Sequence, residues 1–208
     1  MKKTLISKEL AHHTPFTFLA ATLAILLVII ISNTTTLAHS ESTFKFFHFS
    51  HIFVSAIATT AIYYKYKKSI PKAILIGTIG TLLIGTLSDV IFPFIGASIF
   101  FFSPELHIPL INKPLLIISI AILGTLTGIL TQKSELPHLL HVSISVFASL
   151  FYIIAYAHPT NIIHWLISLI IVFVAVILPC CLSDIVFPLI FIKNKSLKKS
   201  IHQKHNKK

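Results

Sequence analysis

Six stretches of the chain are dominated by apolar residues: 15–32, 46–64, 72–102, 109–131, 138–157 and 162–192. A helix needs about 20 such residues to cross the hydrocarbon of a bilayer. The pattern therefore predicts an all-α, polytopic membrane protein with six transmembrane helices. The first stretch follows Thr14 and Pro15, and proline suits the first helical turn. It is longer than the apolar part of a secretory signal, and Ser32, Asn33, Thr34, Thr35 and Thr36 after it offer no small-x-small cleavage pattern. It is expected to remain as a span.

The polar positions inside these stretches repeat. His48 and His51 open span 2, and His138 and His141 open span 5. Ser55 and Ser145 each lie four residues past the second histidine, and Thr59 corresponds to Ser149. Span 3 carries Leu87-Ser88-Asp89-Val90-Ile91-Phe92-Pro93; span 6 carries Leu182-Ser183-Asp184-Ile185-Val186-Phe187-Pro188. Five of these seven positions are identical and the other two exchange Val and Ile. Glu9, His12, His13 and Pro15 ahead of the first copy resemble Glu105, His107 and Pro109 ahead of the second. Apolar drift would remove such polar landmarks, so their shared order argues for duplication. Residues 1–102 and 103–192 are read as two three-helix repeats, and 193–208 as a basic tail. Because each copy has an odd number of spans, the second enters the membrane from the opposite side, an inverted repeat.

Composition supports the membrane and sets the orientation. Of 208 residues, 55% are hydrophobic and only 11% charged, against about 25% charged in soluble domains. All 17 basic residues are lysines. The net charge of +11 would suggest nucleic acid in a soluble chain. Here the lysines sit between apolar runs, so no nucleic-acid partner is expected. Lysines 2, 3, 8, 65, 67, 68, 72 and 133 and the seven of the tail share one side, leaving only Lys45 and Lys113 on the other. The positive-inside rule then places both termini in the cytoplasm and the protein in the cytoplasmic membrane. The tail reads as a solvated anchor near anionic lipid. Cys180 and Cys181 are neighbours and imply no disulfide framework. Six spans in 208 residues is compact, and a homodimer is compatible with it.

The duplicated residues are those that bind cations. Histidines three apart share a helix face and offer two imidazole nitrogens. A carboxylate within a span costs about 2.5–3.5 kcal/mol on insertion scales and marks a pathway or a site. Asp89 and Asp184 each precede a proline by four residues, and proline cannot donate to the carbonyl of residue i−4. Each motif is thus expected to offer a carboxylate beside its own freed carbonyl. With straight helices, Asp89 lies about 25 Å from the start of span 3, near the outer face. Two clusters are expected: His48, His51, Asp89, Glu105 and His107 outside, and His138, His141, Asp184, Glu9, His12 and His13 inside. Mixed nitrogen and oxygen donors suit Zn²⁺, Mn²⁺, Fe²⁺, Co²⁺ or Ni²⁺ better than Cu(I).

These readings favour a divalent metal-ion transporter or permease-like protein over an enzyme. A membrane-embedded metal-dependent hydrolase is the alternative, since an open zinc site beside a carboxylate activates water. A site near each face suits it less well. A di-haem cytochrome would draw axial ligands from different helices, and each i, i+3 pair supplies only one. Gly124 and Gly128 form a small-xxx-small pair expected to pack helices. No phosphate-binding loop, dinucleotide glycine motif or nucleophile elbow occurs.

Overall fold

A computed structural model describes residues 15, 17–26, 39–100, 103–132, 135–181, 187, 190 and 191, with side chains left undescribed at 135–139, 180 and 181. The described residues are helical and include no strand. In chain order the helices are α1 (Thr17–Leu26), α2 (Ser40–Tyr66), α3 (Ile70–Thr86), α4 (Phe92–Ile99), α5 (Pro109–Asn112), α6 (Pro114–Thr131), α7 (Glu135–Ala157) and α8 (Ile162–Val176). A π-helical segment, Leu87–Ile91, fuses α3 to α4, and another, Ile177–Cys181, extends α8.

Five helices among the described residues are long and apolar enough to cross a membrane: Ser40–Tyr66, Ile70–Ile99, Pro114–Thr131, Leu140–Ala157 and Ile162–Pro179. They overlap the second to sixth predicted stretches, with ends that differ by several residues. For the first, the described helix is Thr17–Leu26 and the remainder lies outside the described residues, so six spans are not established.

Local sequence sets the helix ends. Proline stands in the first turn of α3, α5 and α6, where a missing N–H costs nothing. The Asn161 side chain accepts from His164 N at 2.9 Å and caps α8. Gln132 ends α6 in the left-handed conformation.

The polarity of the bundle is inverted relative to a soluble one. Along α3 and into the π-helical segment, Leu75, Ile79, Leu83 and Leu87 recur every four residues and face outward. Thr81, Ser88 and Asp89, on the same continuous helix, are fully buried. Leu123 and Leu130 of α6 and Ile163, Leu166 and Ile170 of α8 are likewise exposed. Such surfaces suit acyl chains and would be costly in water.

α2 lies at the centre, packed by α3, α6 and α7, while α8 packs on α7 and α4. The close α2–α6 approach depends on Gly124 and Gly128. A Cβ at Gly124 would lie 2.5 Å from the Phe53 carbonyl oxygen, and one at Gly128 2.6 Å from that of Ile57. The small-xxx-small pair thus packs against backbone, as the sequence predicts. Val142, Val146, Leu150 and Ile153 of α7 meet Val172 and Val176 of α8 and Ala21 and Ile25 of α1 in the main apolar core.

Candidate functional site

The i, i+3 spacing turns His48 and His51 to one face of α2, and both are fully buried. Across from them the π-helical segment presents Asp89, also fully buried. Its Oδ2 lies 2.8 Å from His48 Nδ1 and 2.7 Å from His51 Nδ1. Its Oδ1 accepts from Ser88 Oγ at 2.8 Å and from Ser145 Oγ at 2.9 Å. One carboxylate therefore faces four donors from three helices. A carboxylate only accepts, so in this arrangement both Nδ1 atoms donate to Asp89, and in a neutral ring the lone pair would lie on Nε2. His48 Nε2 is buried and has no hydrogen-bond partner among the described residues. Phe44 stacks on the His48 ring, with centroids 5.4 Å apart.

The π-helical segment explains how Asp89 is held. Phe92 N donates to Leu87 O, five residues back. The next donor in that register would be residue 93, a proline with no N–H. Ser88 O thereby loses its helical donor, and Ser149 Oγ donates to it at 3.0 Å. The proline was expected to free the Asp89 carbonyl. The carbonyl seen taken over by a side chain is that of Ser88, because the register slips by one residue before the proline.

His141 is fully buried on α7, and its ring lies parallel to that of His51, centroids 5.8 Å apart. This corrects the expectation of two clusters at opposite faces: His141, assigned to the inner one, touches the outer. The cause is helix length. α2 begins at Ser40 rather than 46, so His51 sits about 16 Å from the helix start instead of about 7 Å. His51 and His141 therefore meet within the bundle.

Glu105 and His107 do not join Asp89. They lie in the segment 103–108, which is strapped over the end of α7. Glu105 N donates to Tyr156 O at 2.9 Å, and Tyr152 Oη donates to Glu105 O at 3.1 Å while accepting from His107 N at 3.3 Å. The Glu105 side chain is exposed. The His107 ring stacks on Tyr156 at 4.9 Å and faces Asn112. Burial, then the nearby Lys45 charge, hold its pKa below the ordinary histidine value. Tyr152 and Tyr156 in turn pack on Phe44, which covers His48. Among the described residues, no three His, Cys, Asp or Glu side chains form a metal-holding group. Glu9, His12, His13 and Asp184 lie outside the described residues, as does the His138 side chain.

Sequence reasoning gave no role to Ser88, Ser145, Ser149 or the two tyrosines. The matches of Ser145 with Ser55 and of Ser149 with Thr59 were the available signal. No protein-family model matches the chain, and comparison with curated proteins and with solved structures finds no match.

Proposed function

We propose that the protein is a permease-like membrane protein whose cargo is a divalent transition-metal cation, met within the bundle by the imidazole Nε2 atoms of His48 and His51 with His141 alongside. Asp89 is then the orienting group: it fixes both Nδ1 tautomers and raises the basicity of the rings, as carboxylates behind metal-binding histidines do. The observation that carries this reading is the arrangement at His48, whose Nδ1 is held by Asp89 while Nε2 stays buried and unpartnered among the described residues. A few neutral imidazoles make a site weak enough to release its ion, which a pathway requires and a structural metal does not. Zn²⁺ and Mn²⁺ are the cations to try first, because imidazole and oxygen donors accept both.

The inverted repeat belongs to the same proposal. The contact between His51 and His141 joins corresponding residues of the two copies, which supports a two-fold axis passing between them. Ser145 of the second copy completes the carboxylate shell of the first. The lysine distribution sets both termini in the cytoplasm.

Metal content and binding of purified protein test the reading. Wild type is expected to take up Zn²⁺ or Mn²⁺, His48→Ala and His51→Ala to lose it, and Asp89→Asn to bind about 10–100-fold more weakly. Cation flux into liposomes should fall in the same order. Metal content and flux indifferent to all three substitutions would remove the proposal.

A further inference from the structure

The carboxylate at the centre of the site has no electron pair to spare. An ionised carboxyl group offers about four lone-pair positions, two on each oxygen. Asp89 Oδ2 accepts from His48 Nδ1 at 2.8 Å and from His51 Nδ1 at 2.7 Å. Its Oδ1 accepts from Ser88 Oγ at 2.8 Å and from Ser145 Oγ at 2.9 Å. Protein donors therefore fill every position, and a cation finds no oxygen of Asp89 free to bind it.

Distance excludes Asp89 a second time. A cation on His48 Nε2 sits beyond the far side of the ring, about 6–7 Å from an oxygen held at Nδ1, which is about three times a metal–carboxylate bond. The other acids stand elsewhere. Glu41 is exposed near the start of α2 and pairs with Lys45, and the Glu105 side chain is exposed on the strap. Asp89 is the only buried acid among the residues whose side chains are described. Beside the ring of His48 stand apolar and imidazole groups: Phe44 stacks on it, and His141 lies parallel to His51 one helix away. What the described residues offer a cation here is nitrogen.

We infer that the site selects its cargo by withholding oxygen, so that it takes a cation that prefers imidazole, Zn²⁺ above Mn²⁺, and rejects Mg²⁺ and Ca²⁺. The inference rests on the cation reading of the histidine site and narrows it. Imidazole suits Zn²⁺ and its neighbours late in the first transition row, whereas Mn²⁺, Mg²⁺ and Ca²⁺ are best served by carboxylate, carbonyl and water. Mg²⁺ also gives up its water reluctantly, and the face of His48 under Phe44 leaves none there. Asp89 is on this view a positioning residue that acts through the two rings, and Ser88 and Ser145 keep its second oxygen occupied.

Competition titrations of the full chain in detergent, with the chlorides of Zn²⁺, Mn²⁺ and Mg²⁺, measure the selection. Wild type should bind Zn²⁺ about a hundredfold more tightly than Mn²⁺ and leave Mg²⁺ unbound. Asp89→Asn should weaken both Zn²⁺ and Mn²⁺, keeping their ratio within about threefold of wild type, because a group behind the ring acts on either ion alike. X-ray absorption of Zn²⁺-loaded wild type, which needs no variant to fold, should show an imidazole shell without carboxylate. Equal affinities for Zn²⁺ and Mn²⁺, both lost in His48→Ala, would overturn the selection and leave the histidine site standing. A carboxylate in the zinc shell, or an Asp89→Asn protein that loses Mn²⁺ alone, would do the same. If wild type binds neither ion, or His48→Ala binds Zn²⁺ as wild type does, the histidine site itself fails and the selection falls with it.

Discussion

At the scale of single residues, Asp89 is held by saturation. Two imidazole nitrogens and two hydroxyls converge on its two oxygens, so each oxygen accepts from two donors. A charge in a low-dielectric interior persists only with such company. His107 is the contrasting case, since burial and Lys45 outweigh Glu41 and disfavour its charge. Burial and, after it, Lys45 lower its pKa, so at a given pH it is less protonated than a free histidine. An NMR titration should place its midpoint below 6.5, and Lys45→Gln should move it upward without fully restoring it, because burial is the larger cause. The unfolded chain binds the proton more readily, so this group favours the folded state above its ordinary pKa and withdraws that support as pH falls below it. A midpoint unchanged by Lys45→Gln would show that the lysine does not act on this ring.

At the scale of elements, the decisive unit is the π-helical segment with the proline two residues beyond it. The slip at Leu87–Ile91 and the missing N–H of Pro93 expose the Ser88 carbonyl, and Ser149 of α7 supplies the donor. Ser149→Ala should therefore cost about 0.6–1.7 kcal/mol, the range of hydrogen bonds between membrane helices. In a Pro93→Ala background the new N–H can serve the same carbonyl, and the cost of Ser149→Ala should shrink toward zero. Reversible unfolding in mixed micelles gives both values as a double-mutant cycle. Equal costs in the two backgrounds would mean that the proline and the serine do not share one acceptor. The histidine pairing and the Asp-x-x-x-Pro spacing were legible in sequence, because i, i+3 and i, i+4 relations are fixed by helix geometry. Which carbonyl opened was not legible, because a one-residue register slip leaves no trace in the spacing of side chains.

At the scale of the whole molecule, helix order fixes which loops share an end. Lys68 bonds Gln132, tying the loop after α2 to the end of α6. The segment 103–108 and the end of α7 are tied together elsewhere by Glu105, Tyr152 and Tyr156. Cysteines at Lys68 and Gln132 should be labelled from one side of sealed vesicles, and cysteines at Ser103 and Thr160 from the other, with the first pair cytoplasmic by the lysine rule. Labelling of all four from one side would contradict a membrane-crossing bundle. The sequence alone indicated that the chain is helical and where its apolar helices run, five of the six expected stretches being matched among the described residues, because period and hydropathy are local properties. Only the tertiary structure decided that His141 meets His51, that one carboxylate gathers donors from three helices, and that Glu105 and His107 stay apart on a strap. Those outcomes depend on where long helices cross, and a crossing point is set by glycine contacts and helix length together, which no single stretch of sequence contains.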